Sequence, residues 1–386
     1  MVNFDYQTPT RLIFGEGVVA QKLKEVMAGY GNRVLMTYGG GSIKRSGLYD
    51  QVKQLLADKT LFELGGIEPN PKYDPSVLEG VRICKEEKID VILSVGGGSV
   101  LDCTKAIAGA ACYDGEPWDI VTAKVPTKRH VPIVDIITLA ATGSEYDSAA
   151  VISRTETNDK LAYFGVYPDV SLVDPTYTYT LPAKQTLAGM ADCINHIMES
   201  YFCADHVMMN DAFMEGAIRS LMHHVKVVLK EPENYQSRAE IFYATTLGCN
   251  GIYCLGNSPS GWPMHALEHA LSAYYDITHG EGLAIVAPRW MKHILDHSTG
   301  ALHEQVVERC TSFGRGVFGT QTAEEAIEAL HKFFVEVGIP MTLREVGIDE
   351  SRIDEMAQHV ADTEGLENAW VPLMKEDIAA IYRACL

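Results

Sequence analysis

Short apolar runs alternate with amphipathic stretches through the first half of the chain, and this alternation restricts the fold more than any other feature. The runs at 33–38, 90–95 and 131–138 each end at glycine or at small residues, and they predict buried strands. The stretches 17–28 and 74–87 have the periodicity of helices. Strands that alternate with helices of this length predict βαβ units and a parallel sheet covered on both faces.

The pattern changes near residues 174–182, after which β-branched runs become scarce and helical periodicity dominates. Helices are predicted over 185–202, 210–229, 237–254, 265–275, 322–337 and 353–362. We therefore predict an α/β dinucleotide-binding domain over 1–181 and an all-helical domain over 182–386, which suits a length of 386 residues. A seam between two domains is also a common place for a ligand.

Charge and cysteine usage exclude several kinds of partner. The chain has 32 Lys and Arg against 51 Asp and Glu, a formal net charge of −19. Such a surface repels phosphate backbones and anionic lipid, so we expect neither nucleic acid nor membrane as a partner. No apolar run approaches the roughly 20 residues that span a bilayer, and the first residues lack the layout of a signal peptide. The nine cysteines include no C-x-x-C pair, which favours reduced thiols and a cytoplasmic location.

A glycine cluster at 96–98, followed by Ser99, directly follows one predicted strand and opens a predicted helix over 100–111. Glycines let the backbone approach a phosphate, and the free N–H groups at the start of the helix can hold its charge. The spacing is not the G-x-G-x-x-G of an ordinary Rossmann unit. The cluster predicts a pyrophosphate site, and a tight turn without a ligand is the alternative.

A second glycine cluster, which includes Gly39 and Gly40 and leads into Ser42, follows the strand at 33–38. In many dinucleotide sites an acidic residue at the end of such a strand binds the adenosine ribose. That place is taken here by Gly39, with Lys44 and Arg45 close behind. A carboxylate would repel a 2′-phosphate, whereas hydroxyl, N–H and cationic groups attract it. If this is a cofactor site rather than an exposed turn, NADP is favoured over NAD.

The histidines between 190 and 280 give the strongest chemical pattern. Asp192 and His196 are four residues apart in a predicted helix and project from one face. His265 and His269 have the same spacing in a later helix, and His279 follows at a break before a glycine. A carboxylate and three imidazoles suit Fe²⁺ or Zn²⁺. We predict a metal site formed by Asp192, His196, His265 and His279.

A structural explanation competes with this prediction. An isolated D-x₃-H pair is weak evidence, because a buried histidine bonded to a carboxylate is common. The three further histidines between 265 and 279 make that explanation less attractive. Glu199, three residues after His196, is either an orienting group or a surface charge.

These motifs resemble those of a known family, and they are ordered and spaced as in that family over nearly the whole chain. They are the 96–99 cluster with Asp102 and Lys105, T-L-A-A-T-G-S-E at 138–145, G-x-x-D at 189–192 and the block 265–282. The sequence is similar to the iron-containing (group III) alcohol dehydrogenases, and within them to the NADPH-dependent butanol dehydrogenase and aldehyde reductase branch. The resemblance implies a dehydroquinate synthase-like architecture, a metal and a homodimer.

The resemblance also implies roles for individual residues. It places the metal on the four predicted ligands and makes His269 a proton relay rather than a ligand. Gly97, Gly98 and Ser99 would hold the pyrophosphate. Further cofactor contacts would come from Asn70 at a ribose, from Thr138 and Thr142 in the groove, and from Asp102, Ser144 and Lys160 near the nicotinamide. Asp147 varies within the family, which leaves substrate preference open.

The sequence therefore predicts reversible hydride transfer between NADP(H) and a small aldehyde or primary alcohol, with the metal polarising the carbonyl oxygen. The first alternative is a metal-dependent lyase, hydrolase or polyol dehydrogenase on the same scaffold. A lyase or hydrolase would need Lys and Arg near the metal, and 192–199 and 265–282 contain none. The second alternative is a non-catalytic nucleotide-binding protein, which would leave four metal-type ligands without a purpose.

Overall fold

The computed structural model describes all 386 residues and contains eight β-strands and fifteen α-helices. The strands are β1 (Arg11–Phe14), β2 (Arg33–Tyr38), β3 (Thr60–Leu64), β4 (Val91–Gly96), β5 (Ile133–Ile137), β6 (Ala149–Arg154), β7 (Asp159–Phe164) and β8 (Val170–Val173). The first helices are α1 (Val18–Met27), α2 (Ser42–Arg45), α3 (Leu48–Leu55), α4 (Leu78–Glu86), α5 (Gly98–Ala111) and α6 (Trp118–Val121). The others are α7 (Ala183–Tyr201), α8 (Met208–Val228), α9 (Tyr235–Gly248), α10 (Pro263–Tyr275), α11 (His279–His297), α12 (Gly300–Phe318), α13 (Ala323–Val337), α14 (Ile353–Thr363) and α15 (Lys375–Ala384).

Six strands form one parallel sheet in the order β1-β8-β5-β4-β2-β3, and β6 and β7 form a separate antiparallel hairpin. From β2 the chain continues to β3 on one side, whereas β4 continues to β5 on the other, so the strand order reverses between β2 and β4. Ligands of open α/β sheets bind at the carboxyl ends of the strands where the order reverses. Gly39 follows β2 and Gly97 follows β4, so both glycine clusters lie at this point.

The sheet forms because its central strands can be buried on both faces. β4 and β5 are fully buried, as expected for parallel strands covered by helices. Neighbouring side chains of a strand point to opposite faces. On one face Leu35 and Ile92 pack in a cluster with Ile107 of α5. On the other face Met36 packs in a cluster with Leu23 of α1.

The chain divides into two compact units. The sheet unit comprises Gln7–Pro182 and Glu231–Asn250, and the helical unit comprises Met1–Tyr6, Ala183–Lys230 and Gly251–Leu386. Within the helical unit, α7 packs against α8 and α11, and α10 packs against α11 and α14. The predicted fold class, an α/β part with a parallel sheet followed by a helical part, is confirmed.

Two segments group differently from the sequence-based division into 1–181 and 182–386. Glu231–Asn250, which carries α9, belongs to the sheet unit, where Thr246 Oγ1 donates to Glu145 Oε1 at 2.6 Å. The first six residues belong to the helical unit, where the N–H of Val2 donates to the carbonyl of Gly256 at 2.7 Å. Both placements depend on long-range contacts that no local pattern encodes.

Element boundaries also differ in places. The helix predicted over 237–254 ends at Gly248, because Gly251 with φ 86° starts a separate 3-10 turn. The break expected before Gly280 lies earlier, since His279 is the first residue of α11 and Gly280 is inside that helix. None of the helices is both long enough and apolar enough to cross a lipid bilayer.

Candidate metal centre and nucleotide-binding site

The four predicted metal ligands lie around one carboxylate oxygen in the helical unit. Asp192 Oδ1 is 3.5 Å from His196 Nε2, 3.8 Å from His265 Nε2 and 3.6 Å from His279 Nε2. Asp192 and His196 project from α7, His265 from α10, and His279 from the start of α11. Helix α7 and the two later, consecutive helices α10 and α11 therefore bring a carboxylate and three imidazoles together.

This donor set fits a divalent cation. In a tetrahedral site with bonds of about 2.1 Å, neighbouring ligand atoms lie about 3.4 Å apart, close to the distances around Asp192 Oδ1. Asp192 Oδ1 and His265 Nε2 are buried and have no hydrogen-bond partner. Buried polar atoms without a partner are costly, and a cation would satisfy both. Carboxylate and imidazole ligands suit Fe²⁺ or Zn²⁺.

The protonation of the cluster reflects its burial and its charges. Burial alone would lower the pKa of His265, but the carboxylates of Asp192 and Glu199 outweigh it and raise the pKa to about 9. Burial lowers the pKa of His196 to about 4. Burial works against ionisation of Asp192, yet the surrounding histidines hold its pKa well below the usual value. The cluster thus combines an ionised carboxylate with at least one neutral imidazole.

Two buried glutamates contact the outer nitrogens of two of the imidazoles. Glu199 Oε1 accepts a hydrogen bond from the backbone N–H of His265 at 2.9 Å and lies 3.3 Å from His265 Nδ1. The role of Glu199, open in the sequence, is therefore a contact with this proposed ligand. Glu268 Oε2 accepts a hydrogen bond from His279 Nδ1. Glu268 was not predicted, although its position three residues after His265 on a helix was a usable signal.

His269 lies beside the cluster. Its ring centroid is 6.3 Å from that of His265 and 5.9 Å from that of His279. Its Nδ1 lies 3.7 Å from Glu364 Oε1, a carboxylate that the sequence did not point to. The histidine is buried, whereas the Glu364 side chain is 23% exposed. His269 is therefore close to the proposed ligands and also to a group that reaches solvent.

An aromatic ring borders the same cluster. The centroid of the Trp262 ring lies 5.0 Å from that of His265 and 5.8 Å from that of His196. Trp262 is 38% exposed and has φ 52°, in the left-handed region that is uncommon for such a residue. It immediately precedes α10, and the N–H of Trp370 donates to the carbonyl of nearby Ser260 at 2.9 Å. The indole gives an apolar surface next to the cation site, which the sequence did not predict.

The glycine turn after β4 has the geometry expected of a phosphate loop. Gly97 directly precedes α5, and Gly98 and Ser99 are the first residues of that helix. A Cβ on Gly98 would lie 2.5 Å from Thr142 Oγ1, so only glycine lets the two segments approach this closely. The N–H of Thr138 donates to the last carbonyl of β4 at 2.8 Å. The structure thus brings these five predicted cofactor residues to the start of α5, whose free N–H groups can bind an anion.

Asp102 and Ser144, expected near the nicotinamide, are hydrogen-bonded to each other in the sheet unit. Ser144 Oγ donates to Asp102 Oδ1 at 2.7 Å, and the N–H of Val151 donates to Asp102 Oδ2 at 3.0 Å. Burial raises the pKa of Asp102 to about 6, although these hydrogen bonds oppose the shift. The carboxyl of Asp102 therefore joins α5 to the turn that contains Ser144.

Asn70 and Lys160 are brought to one part of the β6–β7 hairpin. The N–H of Ser153 on β6 donates at 2.9 Å to the carbonyl of Pro71, which follows Asn70. Ser153 is also the cross-strand partner of Lys160 on β7. Asn70 has φ 49°, which turns the chain at this point. Both residues therefore lie around Ser153.

The turn after β2 has space for a small side chain at Gly39, the position where a carboxylate would otherwise be expected. A Cβ on Gly39 would lie 3.3 Å from the carbonyl oxygen of Ile67 and 3.6 Å from Val100 Cγ2, so a small side chain needs only a slight adjustment. A Cβ on Gly40 would meet nothing within 4 Å. Ser42 is the first residue of α2. Val100 belongs to α5, so this turn lies next to the helix that begins at the other glycine cluster.

A positively charged side chain, Lys44, follows this turn, and the nearby carboxylate of Glu63 is hydrogen-bonded to other side chains. Lys44 Nζ lies 4.9 Å from the ring centroid of Tyr38 and 4.8 Å from that of Tyr49. Glu63 accepts hydrogen bonds from Tyr38 and Tyr49 at 2.9 Å and from Lys53 at 3.2 Å. Lys44 therefore lies over aromatic rings while Glu63 is engaged by three other donors.

A parallel sheet with glycine turns at its switch point, together with a buried carboxylate–imidazole cluster, is typical of a nucleotide-dependent enzyme that uses a metal ion. Two family models match the chain: "Iron-containing alcohol dehydrogenase" over residues 9–175 and "Fe-containing alcohol dehydrogenase family, C-terminal" over residues 186–386. The chain therefore belongs to the iron-containing alcohol dehydrogenase family. Membership of this family implies an oxidoreductase with a metal and a nicotinamide cofactor.

Individual relatives cover nearly the whole chain. NADH-dependent butanol dehydrogenase A of Clostridium acetobutylicum is 41% identical over 399 residues, covering 99% of each chain. The NADPH-dependent aldehyde reductase YqhD of Escherichia coli is 39% identical over 368 residues, covering 94% of each. The crystal structure of NADH-dependent butanol dehydrogenase A from Thermotoga maritima matches with a TM-score of 0.93 at 35% identity, covering 100% of this chain and 99% of that one. Because these relatives differ in cofactor, similarity alone does not assign NADH or NADPH to this chain.

Proposed function

We propose that this protein is an NADP(H)-preferring aldehyde reductase and alcohol dehydrogenase that acts on small aldehydes and primary alcohols. It would hold one Fe²⁺ or Zn²⁺ on Asp192, His196, His265 and His279. The observation that carries the proposal is the position of Asp192 Oδ1, buried without a hydrogen-bond partner and 3.5–3.8 Å from three imidazole nitrogens. Such a cluster is costly unless a cation occupies it.

The bound groups supply the bond-making chemistry: a divalent ion draws electron density from the carbonyl oxygen, and NADPH provides the hydride. The chain's own residues hold and orient these groups and move the proton. Asp192 and the three histidines hold the ion, and Glu199 and Glu268 contact two of those histidines from behind. The indole of Trp262 offers an apolar surface for the alkyl group of the substrate.

His269 is proposed to deliver the proton. Reduction of an aldehyde leaves an oxygen that needs one proton, and an imidazole can donate it near neutral pH. Glu364 Oε1, 3.7 Å from His269 Nδ1 and partly exposed, can return a proton from solvent. In the oxidation direction the same residues carry the proton outward.

The preference for NADP rests on charge at the turn after β2. Gly39 leaves no carboxylate at the place where one would repel a 2′-phosphate, and Ser42, Lys44 and Arg45 follow it. The nearby carboxylate of Glu63 is engaged by Tyr38, Tyr49 and Lys53. A 2′-phosphate would therefore meet hydroxyl, N–H and cationic groups.

The test is an assay of protein loaded anaerobically with Fe²⁺ or with Zn²⁺, using straight-chain aldehydes such as butyraldehyde and following the cofactor absorbance. The proposal predicts aldehyde-dependent oxidation of NADPH, with a higher kcat/KM for NADPH than for NADH. Metal-loaded protein that oxidises neither cofactor with any aldehyde would refute the reductase proposal. A higher kcat/KM for NADH would refute only the cofactor preference.

We also propose a cytoplasmic homodimer. None of the nine cysteines forms a disulfide, which suits a reducing compartment, and the dimer follows from the family resemblance. Light scattering coupled to gel filtration should give twice the chain mass of 42.4 kDa. A mass of one chain at micromolar concentration would contradict the dimer.

A further inference from the structure

Glu268 is a fully buried carboxylate beside the proposed cation site, and the mechanism does not use it directly. It is 0% exposed and lies on α10, one residue before His269. Its Oε2 accepts a hydrogen bond from His279 Nδ1, and its Oε1 accepts one from Ser272 Oγ. Both carboxylate oxygens are therefore engaged, one of them by a proposed metal ligand.

The spacing along α10 explains why these groups meet. Relative to His265, the later positions on this helix are Glu268 at three residues, His269 at four and Ser272 at seven. All four side chains therefore share one face of the helix. That face carries a proposed ligand, the carboxylate, the proposed proton relay and a hydroxyl that supports the carboxylate. The arrangement aims Glu268 at the start of α11, where His279 lies.

A glycine on α11 reserves the space that the Glu268 side chain occupies. A Cβ on Gly282 would lie 2.7 Å from Glu268 Cγ and 3.0 Å from Glu268 Oε1. Real Cβ atoms do not make contacts that short, so a larger residue would displace the glutamate. The absence of a side chain at Gly282 is thus a second observation, independent of the hydrogen bonds, that Glu268 has a defined position.

His279 is the most exposed of the three imidazoles, so its ring is the least constrained by surrounding side chains. Its side chain is 24% exposed, against 7% for His196 and 7% for His265. When Nδ1 donates to a carboxylate, the ring keeps one tautomer and one orientation, and Nε2 keeps its lone pair for a metal. His279 Nε2 is the atom that lies 3.6 Å from Asp192 Oδ1.

We infer that Glu268 is a positioning residue that holds the His279 ring with Nε2 directed at the cation site. The inference rests on the proposed function, because it presupposes an ion held by Asp192 and the three histidines. The opposing hypothesis is that Glu268 is itself a ligand, since Glu268, His269 and His279 offer donor atoms within 4.8 Å of one another. A second ion held there would compete with the hydrogen bond between Glu268 and His279.

The experiment measures Co²⁺ binding to metal-free protein by chelator competition, together with the visible absorption spectrum of the Co²⁺ form. Glu268→Gln keeps the size of the side chain and an acceptor oxygen but removes the charge. We expect its Co²⁺ affinity to fall about 10- to 100-fold, with a shifted Co²⁺ spectrum. Gly282→Ala should weaken Co²⁺ binding in the same direction by displacing the glutamate.

Glu281→Gln is the matched control, because Glu281 is likewise a buried glutamate, in the first turn of α11, but it pairs with Lys184 at 3.1 Å. Its affinity should stay within about twofold of the wild type. Circular dichroism and the melting temperature of each metal-free variant report whether it folds. If either Glu268→Gln or Gly282→Ala does not fold, the Co²⁺ affinity of the other variant tests the inference. Wild-type affinity and spectrum in a folded Glu268→Gln or Gly282→Ala would overturn the inference, as would two Co²⁺ ions per wild-type chain. If the wild type binds no Co²⁺, the proposed function fails and the inference fails with it.

Discussion

Gly280 lies directly against the backbone of Ala188. A Cβ built on Gly280 would lie 2.0 Å from the carbonyl oxygen of Ala188 and 2.9 Å from its Cα. Ala188 precedes Asp192 by one turn of α7, and Gly280 directly follows His279 at the start of α11. The close approach of the two helices therefore brings His279 Nε2 to 3.6 Å from Asp192 Oδ1.

Gly280→Ala should separate these helices. The added methyl group meets backbone, which cannot rotate away, so we expect the free energy of unfolding to fall by about 3 kcal/mol and the affinity for Zn²⁺ to fall with it. Urea unfolding and chelator competition measure the two effects. Gly216→Ala is the control, since its Cβ would lie 3.8 Å from the end of a flexible arginine. If Gly280→Ala has the stability and the Zn²⁺ affinity of the wild type, the contact between Gly280 and Ala188 does not determine the position of His279.

His269→Ala should slow turnover while leaving the metal in place. Loss of a general acid costs about 10²- to 10⁴-fold in kcat, whereas the four proposed ligands remain. Steady-state kinetics and elemental analysis of the same preparation measure both properties. His223→Ala, at an exposed position of α8, should match the wild type in both. Loss of the metal from His269→Ala would mean that His269, rather than His265, is a ligand.

Gly39→Asp should shift the cofactor preference toward NAD. A carboxylate there repels the 2′-phosphate at a cost of about 3 kcal/mol, so we expect the ratio of kcat/KM for NADPH to that for NADH to fall about 100-fold. Gly39→Ala adds the Cβ without the charge and should leave that ratio nearly unchanged. If the two variants behave alike, space rather than charge at Gly39 governs the preference.

Glu145→Gln should reduce the loss of stability that occurs as the pH rises. Burial raises the pKa of Glu145 from 4.5 to about 7, with Asp147 adding to the shift and Thr246 and Lys105 opposing it. Between those values the unfolded chain has released a proton that the folded chain keeps, so the free energy of unfolding falls with rising pH. The contribution is fully present below pH 4.5 and is lost above about pH 7.

Denaturant unfolding at about pH 4.5 and about pH 8 measures this difference, which should shrink in Glu145→Gln by on the order of 3 kcal/mol. Glu156→Gln removes a carboxylate whose side chain is 60% exposed, and it should leave the pH dependence as it is in the wild type. An unchanged pH dependence in Glu145→Gln would mean that Glu145 is ionised in the folded protein at neutral pH.

Local sequence patterns were sufficient for the fold class and for the choice of candidate ligands. Buried parallel strands are mostly apolar, as in β4, where Ser94 interrupts an apolar run, and the glycines that follow them are visible in the sequence. The four-residue spacing of Asp192 and His196 places both side chains on one helical face whatever the surroundings. These features depend on the backbone geometry of a single element.

Features that depend on contacts between elements were not predictable in the same way. The pairing of Glu268 with His279 joins two helices, and the glycines of α11 suggested a break because helix propensity disfavours glycine. The structure shows instead that Gly280 and Gly282 are needed where Ala188 and Glu268 approach. The grouping of α9 with the sheet unit likewise depends on long-range contacts.

Asp192 and three histidines are proposed to hold one divalent ion, and every catalytic role above depends on that ion. Elemental analysis of protein reconstituted with Zn²⁺ and desalted tests this by comparing the wild type with Asp192→Asn and with Asp362→Asn, a control at an exposed site. We expect one equivalent of zinc per chain in the wild type and in the control, and almost none in Asp192→Asn. A full equivalent retained by Asp192→Asn, or none bound by the wild type, would contradict this proposal.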